Sequence, residues 1–283
     1  MFTSNSWEAV KLFQNLRHNL RAAYARTYVR VRSQFREPEW VLTESVIPLL
    51  IVFAAATLYR VSGSEQLAGF AVLGGAMMAF WDNVLWLMAS QFYWEKESGN
   101  LDLYIIAPIS KMSILLGMSL GSIINTSIRA LLIFLLATFV LHIPVSIADP
   151  LAVLLVFVLT LTALYGLGML MSSLYMLYGR GAYQLNEVFS EPVYLLSGLY
   201  FPTIGRYSPF PAIIQFLVSL IPLTFGIDGL RRTIILGEGL EQVMLHIYVL
   251  LALTVVLIPL AWRVLIFMEN LGRREGRLSL RWM

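Results

Sequence analysis

Apolar and polar positions alternate along this chain in long blocks. Six apolar runs, at 41–59, 67–90, 112–141, 150–178, 183–204 and 243–267, each come close to or exceed the ~20 residues that a helix needs to cross a bilayer. Ahead of them, Phe13, Leu16, Leu20, Tyr24, Tyr28, Val31 and Phe35 recur at spacings of three and four, with Arg17, Arg21, Arg30 and Arg32 between them. That pattern predicts an amphipathic helix within residues 1–36, lying in the membrane interface or packed on a soluble partner. The stretch 206–242 fits neither scheme. Its apolar piece, AIIQFLVSLI at 212–221, is too short to cross, and Pro222 and a second amphipathic piece, Phe225 to Leu236, follow it. Two short helices meeting at a proline predict a re-entrant hairpin, with a pair of surface-lying helices as the alternative.

The insert at 91–111 is the one charged, helix-prone break between two long spans. Glu95, Lys96, Glu97, Asp102 and Lys111 keep it out of lipid. If residues 101–106 are helical, Leu101, Tyr104 and Ile105 share a face, the arrangement of a helix that docks on something. Pro108 limits that helix because it lacks the N–H needed for continuation, and Gly99 permits a tight entry. An ordinary solvated loop has the same spacing.

Composition agrees with the blocks: of 283 residues, 58% are hydrophobic and 13% charged, against about a quarter charged in a soluble domain. The whole of 1–283 therefore reads as one all-α integral-membrane bundle. There is no Cys, which excludes disulfides, thiol nucleophiles and thiolate metal sites. Residues 1–36 are too polar and Arg-rich for a secretory leader. Basic residues from Lys11 to Arg36, with Lys96, Lys111, Arg180, Arg263, Arg273, Arg274, Arg277 and Arg281, fall on one side of a six-span topology. Only Arg60, Arg206, Arg231 and Arg232 fall on the other, so both termini and the insert are expected in the cytoplasm of a plasma-membrane protein.

Catalytic chemistry is not legible. No G-x-x-x-x-G-K-[ST] phosphate loop occurs, so ATP hydrolysis needs a separate chain. His18, His142 and His246 show no metal-ligand spacing, and no Ser/His/Asp set is recognisable. No cofactor, metal or nucleic acid is expected in this chain. The ionisable residues within spans are the remaining candidates, because a mid-membrane charge costs ~2.5–3.5 kcal/mol on insertion scales. Arg129 and Asp82 overlap in depth and are expected to pair; Glu191, one turn from Glu187 on the same helical face, is the second candidate partner. These charges either hold helices together or line a substrate path. Trp and Tyr around Phe80–Trp94 read as an interfacial belt, with a role in gripping a sugar or drug as the alternative, and Gly74-Gly75-Ala76, Gly166 and Gly168 as sites of close helix contact.

The order Glu-Lys-Glu, Ser98-Gly99, a short amphipathic helix and Ala107-Pro108-Ile109-Ser110 resembles the ATP-binding-cassette (ABC) type-2 permease family, whose stretch runs E-x-E-x-G-T-L-E-x-L-x-x-x-P-x-S. Asn100 for Thr and Asp102 for Glu are the departures. A second block, SGLYFP at 197–202 followed by IPLTFGIDGLRRTIILGEG at 221–239, resembles the family's C-terminal signature. The resemblance implies an exporter subunit with an N-terminal elbow helix, an outer-face re-entrant hairpin, and a coupling segment of Glu95, Glu97, Gly99, Leu101, Asp102, Tyr104, Ile105 and Pro108. That segment would dock on an ABC ATPase carrying ATP and Mg²⁺, beside a second permease copy and membrane lipids. The implied cargo is an amphipathic drug, a lipid or a polysaccharide. An ion-extruding permease, an intramembrane lipid-modifying enzyme and an energy-independent carrier are the rival readings.

Overall fold

The computed structural model describes residues 4–36, 38–107, 109–178, 180–205 and 208–275, and among them it is helical with no strand. The helices are α1 (Ser4–Gln34), α2 (Pro38–Val61), α3 (Glu65–Asp82), α4 (Gln91–Glu97), α5 (Leu101–Ile106), α6 (Lys111–Leu141), α7 (Pro150–Tyr178), α8 (Arg180–Leu196), α9 (Ala212–Ser219), α10 (Pro222–Ile234) and α11 (Met244–Glu275). A π-helical segment, Asn83–Met88, joins α3 to α4, and within it the Ala89 N–H donates to the Val84 carbonyl, five residues back, at 2.9 Å.

Five stretches among the described residues are long and apolar enough to cross a membrane: Leu42–Val61, Glu65–Glu97, Lys111–Leu141, Pro150–Tyr178 and Met244–Glu275. The bent pair α9–α10, turned by 101° at Pro222, would make a sixth if counted as one span. The run expected at 183–204 departs from this. It forms α8, only 17 residues long, and stops at Leu196. The chain then turns at Gly198, whose φ of +88° suits a residue without a Cβ. The Gly198 and Leu199 carbonyls are taken by the Arg231 guanidinium instead of by a continuing helix.

Glu65–Glu97 is the axis of the bundle, with nearly the whole of α3 from Ala68 to Trp81 buried. Helices α2, α6, α7 and α10 pack around it, and α11 lies on α7. Phe80, Met88, Leu164, Leu223 and Ile227 are among the buried side chains of this core. Lipid tails are as apolar as leucine, so burial of apolar surface gives these helices little drive to associate; close packing and hydrogen bonding must supply it. Glycines permit that packing. A Cβ on Gly75 would stand 1.9 Å from the Val52 side chain of α2, and one on Gly74 would stand 1.8 Å from the Leu199 carbonyl oxygen. The outer faces of the bundle stay apolar, with Leu50, Leu58, Leu131, Leu135, Val255 and Val256 exposed.

Helix α1 lies along the first half of α6. Gly117 and Gly121, four apart on α6, bring it in: a Cβ on Gly117 would stand 2.3 Å from the Ala23 carbonyl oxygen, and one on Gly121 would stand 2.6 Å from the Arg30 Cβ. The Thr27 hydroxyl donates to the Gly117 carbonyl at 2.9 Å across this contact. Consequently the apolar stripe of α1 faces away from the protein, with Leu16, Leu20, Tyr24, Tyr28 and Phe35 exposed. The side chain of Phe13, from the same stripe, lies outside the described residues.

Candidate functional site

The insert is a helix–turn–helix. Helix α4 ends at Glu97, Ser98 and Gly99 turn the chain, and α5 follows. Gly99 has φ +72° with nothing within 4 Å of its missing Cβ, so backbone conformation alone favours glycine there. The Asn100 N–H donates to the Glu95 carbonyl at 2.8 Å and closes the turn.

Three side chains tie this insert to α1. Arg26 pairs with the Glu95 carboxylate, the Tyr104 hydroxyl donates to the second Glu95 oxygen at 3.1 Å, and the Arg26 guanidinium sits 5.4 Å from the Tyr104 ring centre. Burial pushes the Tyr104 phenol up to about 12; nearby Arg26 opposes that shift and Glu95 adds to it. The phenol therefore remains a donor to Glu95 well above neutral pH. The Asn19 side chain also accepts from the Ser110 N–H at 2.9 Å, so α1 holds the start of α6 as well.

The inner and outer faces of α5 are therefore the reverse of the sequence expectation. Leu101 is 1% exposed and belongs to the bundle core, and Tyr104 is half-buried against Arg26 and Glu95. The outward residues are Leu103, 58% exposed, and Ile106, 78% exposed, with Asp102 beside them and Trp94 at the end of α4. The faces follow the helical period either way, because Leu103 and Ile106 are also three apart. Glu95 is likewise engaged within the chain. The Ile105 side chain and Pro108 lie outside the described residues.

A second feature lies within the spans. Where the π segment begins, a cleft of about 350 Å³ opens between α2, α3, α6 and α8, lined by Glu44, Asp82, Asn83, Trp86, Arg129 and Tyr194 among others. Arg129 is buried, and Nη1 donates to Glu44 of α2. The expected pairing with Asp82 does not form. Asp82 instead accepts a hydrogen bond from the Tyr194 hydroxyl of α8. Glu191 does not reach Arg129 either: it is exposed, and it makes no ion pair among the described residues. The Glu187 side chain lies outside them. Glu44 was overlooked because it comes only six residues after the first residue of α2, a position that reads from sequence as the polar end of a span. Asn83, 1% exposed, accepts from the Tyr165 hydroxyl at 2.7 Å, while its Nδ2 and the Nε of Arg129 have no partner among the described residues.

Sequence reading also missed Arg231, which counted only as an outer basic residue. It is 1% exposed, and its guanidinium donates to the carbonyls of Phe70 (2.9 Å) and Leu199 (3.4 Å) and to that of Gly198. One turn away, Asp228 accepts from Arg232 Nε at 2.9 Å and lies 2.8 Å from His246 Nε2, tying α10 to α11. His246 thus serves as a helix tie, and no metal-binding group of three or more His, Cys, Asp or Glu occurs among the described residues.

A family model described as ABC-2 type transporter covers residues 20–235, a range that holds α5, the cleft and Arg231. No curated protein matches the chain.

Proposed function

This chain belongs to the ABC-2 type transporter family, and on that premise we propose that it is the permease subunit of an ATP-driven exporter, with both termini and the insert in the cytoplasm. The family implies association with an ABC ATPase, which would supply the ATP and Mg²⁺ site for which this chain has no phosphate loop. A second permease copy, identical or not, would complete the assembly. The cargo class is amphipathic: a drug, a lipid or a lipid-linked saccharide.

The observation that carries this reading is the outward face of α5. Leu103 and Ile106 stand exposed on a short helix bounded by charged residues, at the end of the bundle that carries α1. Leu103 and Ile106, with Trp94 at the end of α4, offer exposed apolar surface that a partner can cover. Leu101 and Tyr104 on the opposite face fix α5 to the core and to α1, so a push on Leu103 and Ile106 is passed to α4, α6 and the axial helix. Helix α1 fits the part of an interfacial elbow, with its apolar stripe turned to lipid and its other face locked on α6. The α9–α10 pair fits a re-entrant hairpin entering from the outer face, since α10 is largely buried against α7 and α3.

Replacing both Leu103 and Ile106 by Asp places two carboxylates in any apolar groove that receives α5. The expected result is loss of the ATPase on co-purification, or loss of substrate-stimulated ATP hydrolysis in reconstituted membranes, with an unchanged unfolding midpoint for the isolated chain. Retention of both partner and stimulation overturns the docking role. Transport by the purified chain alone overturns the subunit reading altogether.

A further inference from the structure

The cleft at the π segment is lined by polar side chains from all four of its helices with apolar ones between them, and the charges of its described lining do not balance. Arg129 offsets Glu44 by direct contact. Among the described residues Asp82 meets only the neutral hydroxyl of Tyr194, so with both carboxylates ionised their cleft lining carries one negative charge more than it has positive. An uncompensated charge at this depth is costly and is usually paired or functional. Two donors beside the cleft, Asn83 Nδ2 and Arg129 Nε, are buried with no acceptor among the described residues and are closed to anything in the cleft. A metal ion does not supply the missing charge, since no cluster of three or more candidate ligand side chains exists among the described residues and hard cations ask for six or more oxygens. Ile47, Met78 and Leu87 add apolar lining, and Trp86 lines the same cleft with an aromatic ring.

We propose that this cleft is a binding site for an amphiphilic organic cation. The cationic nitrogen sits at Asp82, with Trp86 alongside. The apolar body lies on Ile47, Met78 and Leu87. A volume of about 350 Å³ admits one small molecule of this kind. The proposal deepens the permease reading, on which the placement of the cleft within the membrane rests, and it selects one cargo chemistry from the classes named above.

The test uses rhodamine 123, a fluorescent cation with ester and amine groups, and fluorescein methyl ester, which has the same ring skeleton but is anionic. Binding of each to the full chain in phosphatidylcholine nanodiscs is followed by fluorescence anisotropy. The cation is expected to bind the tighter of the two. Asp82→Asn should weaken it about tenfold, the scale of one charged hydrogen bond, while Asp82→Glu retains most of it. Should Asp82→Asn fail to fold, Glu44→Gln is the second variant: it frees Arg129 to neutralise Asp82 and should weaken the cation while strengthening the anion. Equal cation affinity in the native chain and in whichever of these two variants folds overturns the proposal, as does tighter binding of the anion to the native chain. No ATPase enters this assay, so its failure leaves the subunit reading standing, and loss of ATPase docking leaves this assay unaffected.

Discussion

Arg129 and Arg231 are both buried in this bundle, and their positive charges are stabilised by different means. Arg129 meets a carboxylate, and that carboxylate lines an open cleft; Arg231, 1% exposed, donates its hydrogen bonds to backbone carbonyls and lies 5.3 Å from the Phe70 ring centre. A carboxylate partner supplies full opposite charge through one flexible side chain, which can exchange partners when another ion arrives. Carbonyls supply partial charges from several chain segments at once, and those segments cannot move without losing their donor. The first arrangement suits a place where something binds. The second suits a lock between α10, α3 and the turn after α8.

If that contrast is right, removing Arg231 should do the most damage. Arg231→Met keeps the apolar stem but takes the guanidinium donors from the Gly198 and Leu199 carbonyls and from that of Phe70, which keeps its helical bond, and it is expected to cost roughly 3 kcal/mol. The readout is the unfolding midpoint in detergent. Arg231→Lys should recover little, because a single ammonium lacks the planar fork that spans the two segments. An Arg231→Met chain as stable as the native one would break the comparison at its root.

The middle prediction concerns which partner Arg129 has. A double-mutant cycle of Arg129→Gln with Glu44→Gln should give a coupling of about 1 kcal/mol, lowered by the part-exposed position of Glu44. The same cycle run with Asp82→Asn should give a clearly smaller coupling. The reverse order would restore the Arg129–Asp82 pair and undo the charge count in the cleft. The smallest effect belongs to Tyr194→Phe, which removes one hydroxyl donor from Asp82 at a half-buried position and should lower stability by no more than about 1 kcal/mol. A loss as large as that of Arg231→Met would mean that the cleft, too, is a structural lock.

The sequence made the spans legible because length and apolarity are local properties: five stretches lie close to where the runs of apolar residues put them. Partner choice was less legible. Whether Arg129 meets Asp82 or Glu44 depends on the rotation of three helices about their axes, and composition says nothing of rotation. The six residues of α5 carry apolar groups on both faces, so the spacing found two faces without saying which one the bundle takes. Arg231 was invisible for another reason. Its partners are carbonyl oxygens, which every residue has, and no side-chain pattern marks them.

The wide turn at Asn83–Met88 acts as a phase shifter. Each residue of an α-helix advances the side-chain direction by about 100°, so one extra residue taken up in a π turn displaces every later position by about that angle. The axial helix can therefore keep one azimuth up to Asp82, which serves the cleft, and adopt another from Gln91 onward, where Phe92 and Tyr93 are buried and α4 packs on α7. Two halves of a single rod are thereby aimed independently, one at whatever enters the cleft and the other at the end where α1 and α5 are joined.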